Sequence, residues 1–300
     1  MIPRFPAFKP IELTDRDAVE AFLAAHPPLA SEYTFTNLFA WRETYRYQLA
    51  AFGDGFLILK TDHAGRPALL QPLVAAEKRA AVLAALEYLR GLGAAPVIER
   101  AGEDFLAGED WASWPVTVTE DRDNADYVYS VPELIALKGE KYHDKKNLLH
   151  QFEKRYPGAH YVPLAPELIG RSLLFQHEWC EERECAHNDG LQQEMCAVFQ
   201  MLTHFESLSA VGGAIELDGR LIALTLGERL NAETFVIHIE KAKPGVAGLY
   251  QAINREFLAH AVLDYPYVNR EQDLGIPGLR KAKLSYNPVR MVMKYRIGEG

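Results

Sequence analysis

Two glutamates and their neighbours offer the clearest chemistry in this 300-residue chain. The run Phe235 to Glu240 alternates as a strand, which places Val236, His238 and Glu240 on one face. In the run Tyr267 to Asp273, a strand of that length puts Tyr267, Asn269, Glu271 and Asp273 on a shared face. If the two strands are neighbours, Glu240 and Glu271 meet in a polar cleft with His238, Asn269 and Asp273 as substrate contacts. A carboxylate there takes a proton from an attacking amine or hydroxyl, the general-base role. The same residues, with Arg270, also suit a buried His–Glu–Arg network that only fixes the sheet edge.

The segment that follows the first strand adds an anion site. Lys241 and Lys243 precede Gly245-Val246-Ala247-Gly248, and a helix opens at Leu249. Unpaired N–H groups and the positive end of a helix dipole favour phosphate, and glycines let its oxygens approach the backbone. The segment matches neither the phosphate-binding motif with a terminal Lys-Ser/Thr nor the dinucleotide fingerprint, and its glycines also serve as ordinary turn and capping residues. A third candidate is Lys138–Arg155, whose Lys141, Lys145 and Lys146 form a basic patch. Such a run is either a solvated helix end or a landing strip for RNA or lipid phosphates. Here the helix puts Lys138, Lys141 and Lys145 on the side of its apolar residues, so its beginning is expected to project beyond the core. His177, Cys180, Cys185 and His187 match no familiar zinc spacing, so no metal is expected.

The elements that must position these residues repeat. Each half shows two helices, an antiparallel meander, and one strand–helix–strand unit. In the first half that unit is Ala68–Val74, Lys78–Leu92 and Pro96–Glu99; in the second it is Thr234–Glu240, Leu249–Leu263 and Tyr267–Glu271. Hairpin turns are expected at Gly53-Asp54-Gly55 and Asp218-Gly219. Val131–Tyr156 reads as one basic helix, Leu279–Tyr286 as a short helix and Val289–Arg296 as a final strand. The expected organisation is two α/β modules, 1–130 and 131–300. Val74-Ala75-Ala76-Glu77-Lys78 has no glycine at the matching place, so only the second module is expected to keep an anion cradle.

Composition sets the outer limits. Apolar residues make up 48% and charged residues 24%, enough for a sizeable core, and the formal charge of -9 argues against a surface that clamps nucleic acid throughout. Three cysteines in a long chain make a disulfide framework unexpected. No signal-peptide pattern and no spanning apolar stretch are present in the sequence, so the expected location is cytoplasmic.

Several of these stretches together resemble a known bacterial family. SEYTFTNLFAWR, the DYVY strand before KGEKYHDKKN, IEKA with its glycine loop, and above all NREQDLGIPGLRKAKLSYNP are similar to the soluble C-terminal domain of phosphatidylglycerol lysyltransferases. The resemblance covers nearly the whole chain. It implies an α/β (α+β) fold of two tandem GNAT-like (acyl-CoA N-acyltransferase-type) modules with mixed central sheets, akin to the Fem aminoacyltransferases. Lysyltransferases of the family take an aminoacyl group from charged tRNA to a phospholipid headgroup. Carried over, KYHDKKN meets a phosphorylated ligand, while Glu240-Lys241, Asn269-Arg270-Glu271 and Arg280-Lys281 line the transfer cleft. The expected activity is acyl transfer to an amine or hydroxyl, with aminoacyl-tRNA or acyl-CoA as co-substrate and no tightly bound cofactor. The alternative is an inactive module that binds RNA or a small anionic metabolite.

Overall fold

The computed structural model describes residues 1–300. It forms two compact units. The first comprises Met1–Asp126, Gln272–Ile276 and Met291–Gly300, and the second Tyr127–Glu271 and Pro277–Arg290. The chain contains two mixed seven-stranded sheets.

In the first unit, β1 (Lys9–Pro10), α1 (Arg16–Ala25) and α2 (Phe35–Trp41) precede the antiparallel strands β2 (Gln48–Phe52), β3 (Gly55–Thr61) and β4 (Pro67–Leu70). Thr34 starts α2 by accepting the Asn37 N–H. α3 (Lys78–Gly91) then crosses to β5 (Val97–Gly102), which runs parallel to β4. Ala81, Val82, Ala85, Leu86 and Leu89 recur at helical spacing along α3 and pack with Leu57, Leu69 and Ile98. Each of the valine, leucine and isoleucine side chains among them stabilises the fold by roughly 1.5–3 kcal/mol when fully buried. α4 (Glu103–Leu106) and β6 (Val116–Glu120) complete this run.

The second unit repeats the pattern. It contains β7 (Asp126–Ser130), α5 (Val131–Ala136), α6 (His143–Arg155), β8 (His160–Pro163), α7 (Ile169–Glu182), α8 (Asp189–Thr203), β9 (Val211–Leu217), β10 (Arg220–Arg229) and β11 (Thr234–Ala242). α9 (Leu249–Ala261), β12 (Tyr267–Asn269) and α10 (Pro277–Leu284) follow, and β13 (Arg290–Val292) begins at the last residue of this unit. The sheet order is β13-β7-β12-β11-β10-β9-β8, with β11 and β12 parallel and the others of the meander antiparallel. Two helices, a meander and a helical crossover between parallel strands thus occur twice, the GNAT-like arrangement that the resemblance implies.

Three expectations change. The helix expected over Val131–Tyr156 breaks after Ala136, where Leu137 (φ 45°) and Gly139 (φ 89°) take left-handed backbone. The strand expected over Val289–Arg296 is two strands. β13 joins the second sheet, while β14 (Lys294–Glu299) inserts between β5 and β6 of the first. The Lys294 ammonium anchors it, fully buried between Asp126 (2.6 Å) and Glu32 (2.5 Å). Finally, Cys180 and Cys185 form a disulfide, because the turn after α7 brings their Cα atoms to 5.1 Å; Cys196 is free. No helix is long and apolar enough to cross a membrane.

Candidate active site

The site is made by two strands that part. β11 and β12 pair at Thr234–Tyr267, Phe235–Val268 and Val236–Asn269, after which β12 ends while β11 runs on to Ala242. The cause is visible on the other side of β11. Its register with β10 jumps from Gly227–Ile237 to Leu226–Ile239, so His238 is the extra residue of a β-bulge. Gly227 sits opposite, where a Cβ would strike the Val236 carbonyl. A bulge bends its strand, and here the bend coincides with the end of pairing to β12. Ligands collect beyond the carboxyl ends of parallel strands, and this is the parallel pair of the second sheet.

His238 bridges two carboxylates. Its Nδ1 lies 2.8 Å from Glu271 Oε1 and its Nε2 2.9 Å from Glu228 Oε1, with only 2% of its side chain exposed. Burial opposes the imidazolium, but the two carboxylates outweigh it and push the pKa up to about 10. At neutral pH the triad therefore holds one positive and two negative charges. Glu271 has left-handed backbone (φ 56°), and its N–H donates to Asn269 Oδ1 at 2.8 Å. Asn269 is fully buried, so the residue expected to touch substrate instead shapes the turn that presents Glu271.

Glu240 is tied differently. Arg270 Nη2 donates to its Oε1 (2.7 Å) and Asn254 Nδ2, from α9, to its Oε2 (2.9 Å). The Arg270 guanidinium also lies 4.8 Å from the ring centre of Tyr286 and 5.6 Å from that of Tyr129. Tyr286 accepts a hydrogen bond from Gln251 (2.9 Å), Tyr129 donates to the Lys283 carbonyl (2.9 Å), and Lys283 Nζ donates to the Arg270 carbonyl. Lys145 completes this group. Its ammonium lies 4.3 Å from the Tyr286 ring centre and has no carboxylate partner, and burial together with the charge of Arg270 lowers its pKa. Lys145 does fall on the apolar side of its helix, but it packs inward and does not project.

The rest of the basic patch disperses. Lys141 pairs with Glu133 (2.7 Å), and Lys146 lines a separate groove of α6. Other expected contacts are also engaged elsewhere. Lys241, expected beside the phosphate cradle, is buried, paired with Glu194 and 3.9 Å from the Trp179 ring centre; burial lowers its pKa against the pull of Glu194. Asp273 belongs to the first unit, fully buried, with Arg122 at 3.3 Å and the Gly275 N–H at 2.8 Å. It leaves the face of Glu271 because the strand stops at Asn269. From α10, Lys283 reaches the Arg270 backbone, whereas Lys281 is exposed and Arg280 is half-buried.

The loop before α9 keeps donors. Leu249 N–H turns back to the Val246 carbonyl (3.3 Å), while the N–H groups of Tyr250 and Gln251 have no main-chain acceptor. Gly245 and Ala247 are exposed; Gly248 and Leu249 are buried. Gly248 (φ 82°) is required for a reason other than ligand approach, since a Cβ there would overlap the Leu148 carbonyl of α6. Gly248→Ala is therefore expected to lower stability by about 2–4 kcal/mol, from a left-handed non-glycine residue and a forced shift of α6. Thermal unfolding measures it, and an unchanged melting temperature would refute the packing explanation.

The matching place in the first unit is closed and acidic. Beyond β4 and β5, Gln71 Oε1 accepts the Gly102 N–H (2.8 Å), and Tyr33 accepts the Gln71 N–H and donates to the Arg100 carbonyl. Ahead of α3, Ala75 N–H donates to Asp54, and Glu77 follows. No group of three or more His, Cys, Asp or Glu side chains is placed to hold a metal ion.

Sequence reasoning missed Glu228, Asn254, Lys283, Tyr129 and Tyr286. Glu228 carried a signal, being a charged end on a strand that hairpins with the strand of His238. Tyr286 lay within the most distinctive stretch of the resemblance.

Comparison with known proteins agrees with the fold. A conserved protein of unknown function from Bacteroides thetaiotaomicron VPI-5482 is 34% identical, with 100% of each chain covered and a TM-score of 0.90. The C-terminal domain of a protein assigned as a lysylphosphatidylglycerol synthetase from Agrobacterium fabrum shares the fold at 12% identity (TM-score 0.66; 96% of this chain and 92% of that one). L-PGS from Bacillus licheniformis does so at 12% identity (TM-score 0.65; 100% and 94%). No curated protein matches in sequence. Residues 24–298 match the family described as phosphatidylglycerol lysyltransferase, C-terminal, and the chain belongs to that family.

Proposed function

We propose that this protein is a cytoplasmic acyltransferase that moves an aminoacyl group from aminoacyl-tRNA, or an acyl group from acyl-CoA, to an amine or hydroxyl acceptor. The observation that carries this reading is the parting of β11 and β12 at the His238 bulge, with Glu271 at the opening. Glu271 is the better base of the two glutamates. Glu240 has both oxygens engaged and its charge balanced by Arg270, whereas Glu228 and Glu271 share one imidazolium and retain a net negative charge.

In the proposed step the acceptor nitrogen or oxygen attacks the donor carbonyl carbon and its proton passes to Glu271. The donor's ester or thioester bond then breaks, and its oxygen or sulfur departs with the electron pair. Lys145 and Arg270 meet anionic parts of the bound pair, and the free N–H groups of Tyr250 and Gln251 suit a donor phosphate. Holding donor and acceptor together supplies up to ~7–11 kcal/mol of barrier reduction.

The test measures transfer from a panel of labelled aminoacyl-tRNAs and acyl-CoA thioesters to amine and hydroxyl acceptors. Transfer from one donor class is expected, and inertness toward the whole panel counts against the enzyme. A second reading, binding without turnover, draws support from the engagement of both Glu240 oxygens. It predicts saturable, salt-sensitive binding of a donor, weakened by Lys145→Ala, with no product.

A further inference from the structure

A groove in the second unit, separate from the residues of the parting strands, has no role in the proposed transfer. It lies among the last turn of α5, the outer face of α6 and Arg255 of α9, and encloses about 350 Å³. That volume falls in the range of small-molecule pockets, roughly 300–1,000 Å³. Ile135, Leu137 and Leu149 supply apolar lining.

The charges of the groove are unequal. Arg255 is balanced by Glu153 (2.9 Å) and by Glu256. His150 lies 4.0 Å from Glu153. Lys146, unlike Arg255, has no carboxylate partner. It stands beside apolar side chains, so the groove places one unpaired ammonium next to an apolar surface.

We propose that this groove is a second ligand site, taking a small monocarboxylate with a compact apolar body. One free ammonium matches one negative charge, while a dianion would set its second charge against Glu153. The apolar lining gives the body of such a molecule a place to leave water, which inorganic phosphate does not exploit. The site is independent of the proposed transfer, so it stands or falls on binding alone.

Hexanoate is the probe, with 1-hexanol and inorganic phosphate as controls, followed by amide chemical shifts in the intact protein. Saturable hexanoate binding is expected, with shifts centred on residues 135–137 and 146–153. Lys146→Ala should weaken it about tenfold or abolish it, as loss of a charge-assisted contact does. Ala136→Trp, which fills the groove from an exposed position and leaves Lys146 in place, should also abolish it. Absence of saturation in the wild type overturns the proposal. So do equal affinity in Lys146→Ala, undiminished binding in Ala136→Trp, and phosphate or hexanol binding as tightly as hexanoate.

Discussion

Glu271→Gln is expected to cut the transfer rate by about 10²–10⁴-fold, the usual contribution of a positioned general base. The change is nearly isosteric and leaves an oxygen to accept from His238 Nδ1, so the turn held by Asn269 should persist. What disappears is the basic lone pair and the excess negative charge of the triad. A loss in kcat with little change in KM would mark a role in the chemical step. Glu240→Gln provides the contrast. Its carboxylate holds Arg270 and Asn254, so its loss should disturb binding and stability at least as much as turnover. If Glu271→Gln turned over at the wild-type rate while Glu240→Gln lost activity, the roles assigned here would be reversed.

His238→Gln is expected to cost about 3–5 kcal/mol of unfolding free energy, because removing the cation leaves two carboxylates facing each other with no positive charge between them. Chemical denaturation at neutral pH measures this. The pH dependence has a defined sign. The pKa of His238 rises from an ordinary 6.5 to about 10 in the fold, so its stabilisation is complete below the ordinary value. It fades as pH climbs between the two, and is gone above the higher one. Wild-type protein should therefore lose a few kcal/mol of stability across that alkaline window, a loss that His238→Gln should not show. A variant as stable as wild type would mean that the bridge is not the source of this coupling.

Much of the fold was legible because it rests on local patterns. Alternation along Thr234–Glu240, helical periodicity along Lys78–Leu92 and the Asp218-Gly219 turn are short-range signals, and all three elements form nearly as read. The misreadings arose where local pattern and tertiary demand diverge. Val131–Tyr156 reads as one basic helix, yet left-handed Leu137 and Gly139 divide it, and the glycine was the one mark of the break. Val289–Arg296 reads as one strand, yet its two parts serve different sheets, since strand pairing is long-range and leaves no mark in the residues themselves.

For the site, alternation and chain order put His238, Glu240 and Glu271 near the end of a parallel strand pair, provided the two strands are neighbours. Only the tertiary structure decided what each does there. The His238 bulge depends on register against β10, the capture of Glu240 on Arg270 and on a helix that follows it, and the capture of Lys241 on α7 and α8. A charged side chain in a low-dielectric interior settles with whichever opposite charge the fold delivers within reach, and that pairing depends on distances in space that sequence separation does not encode.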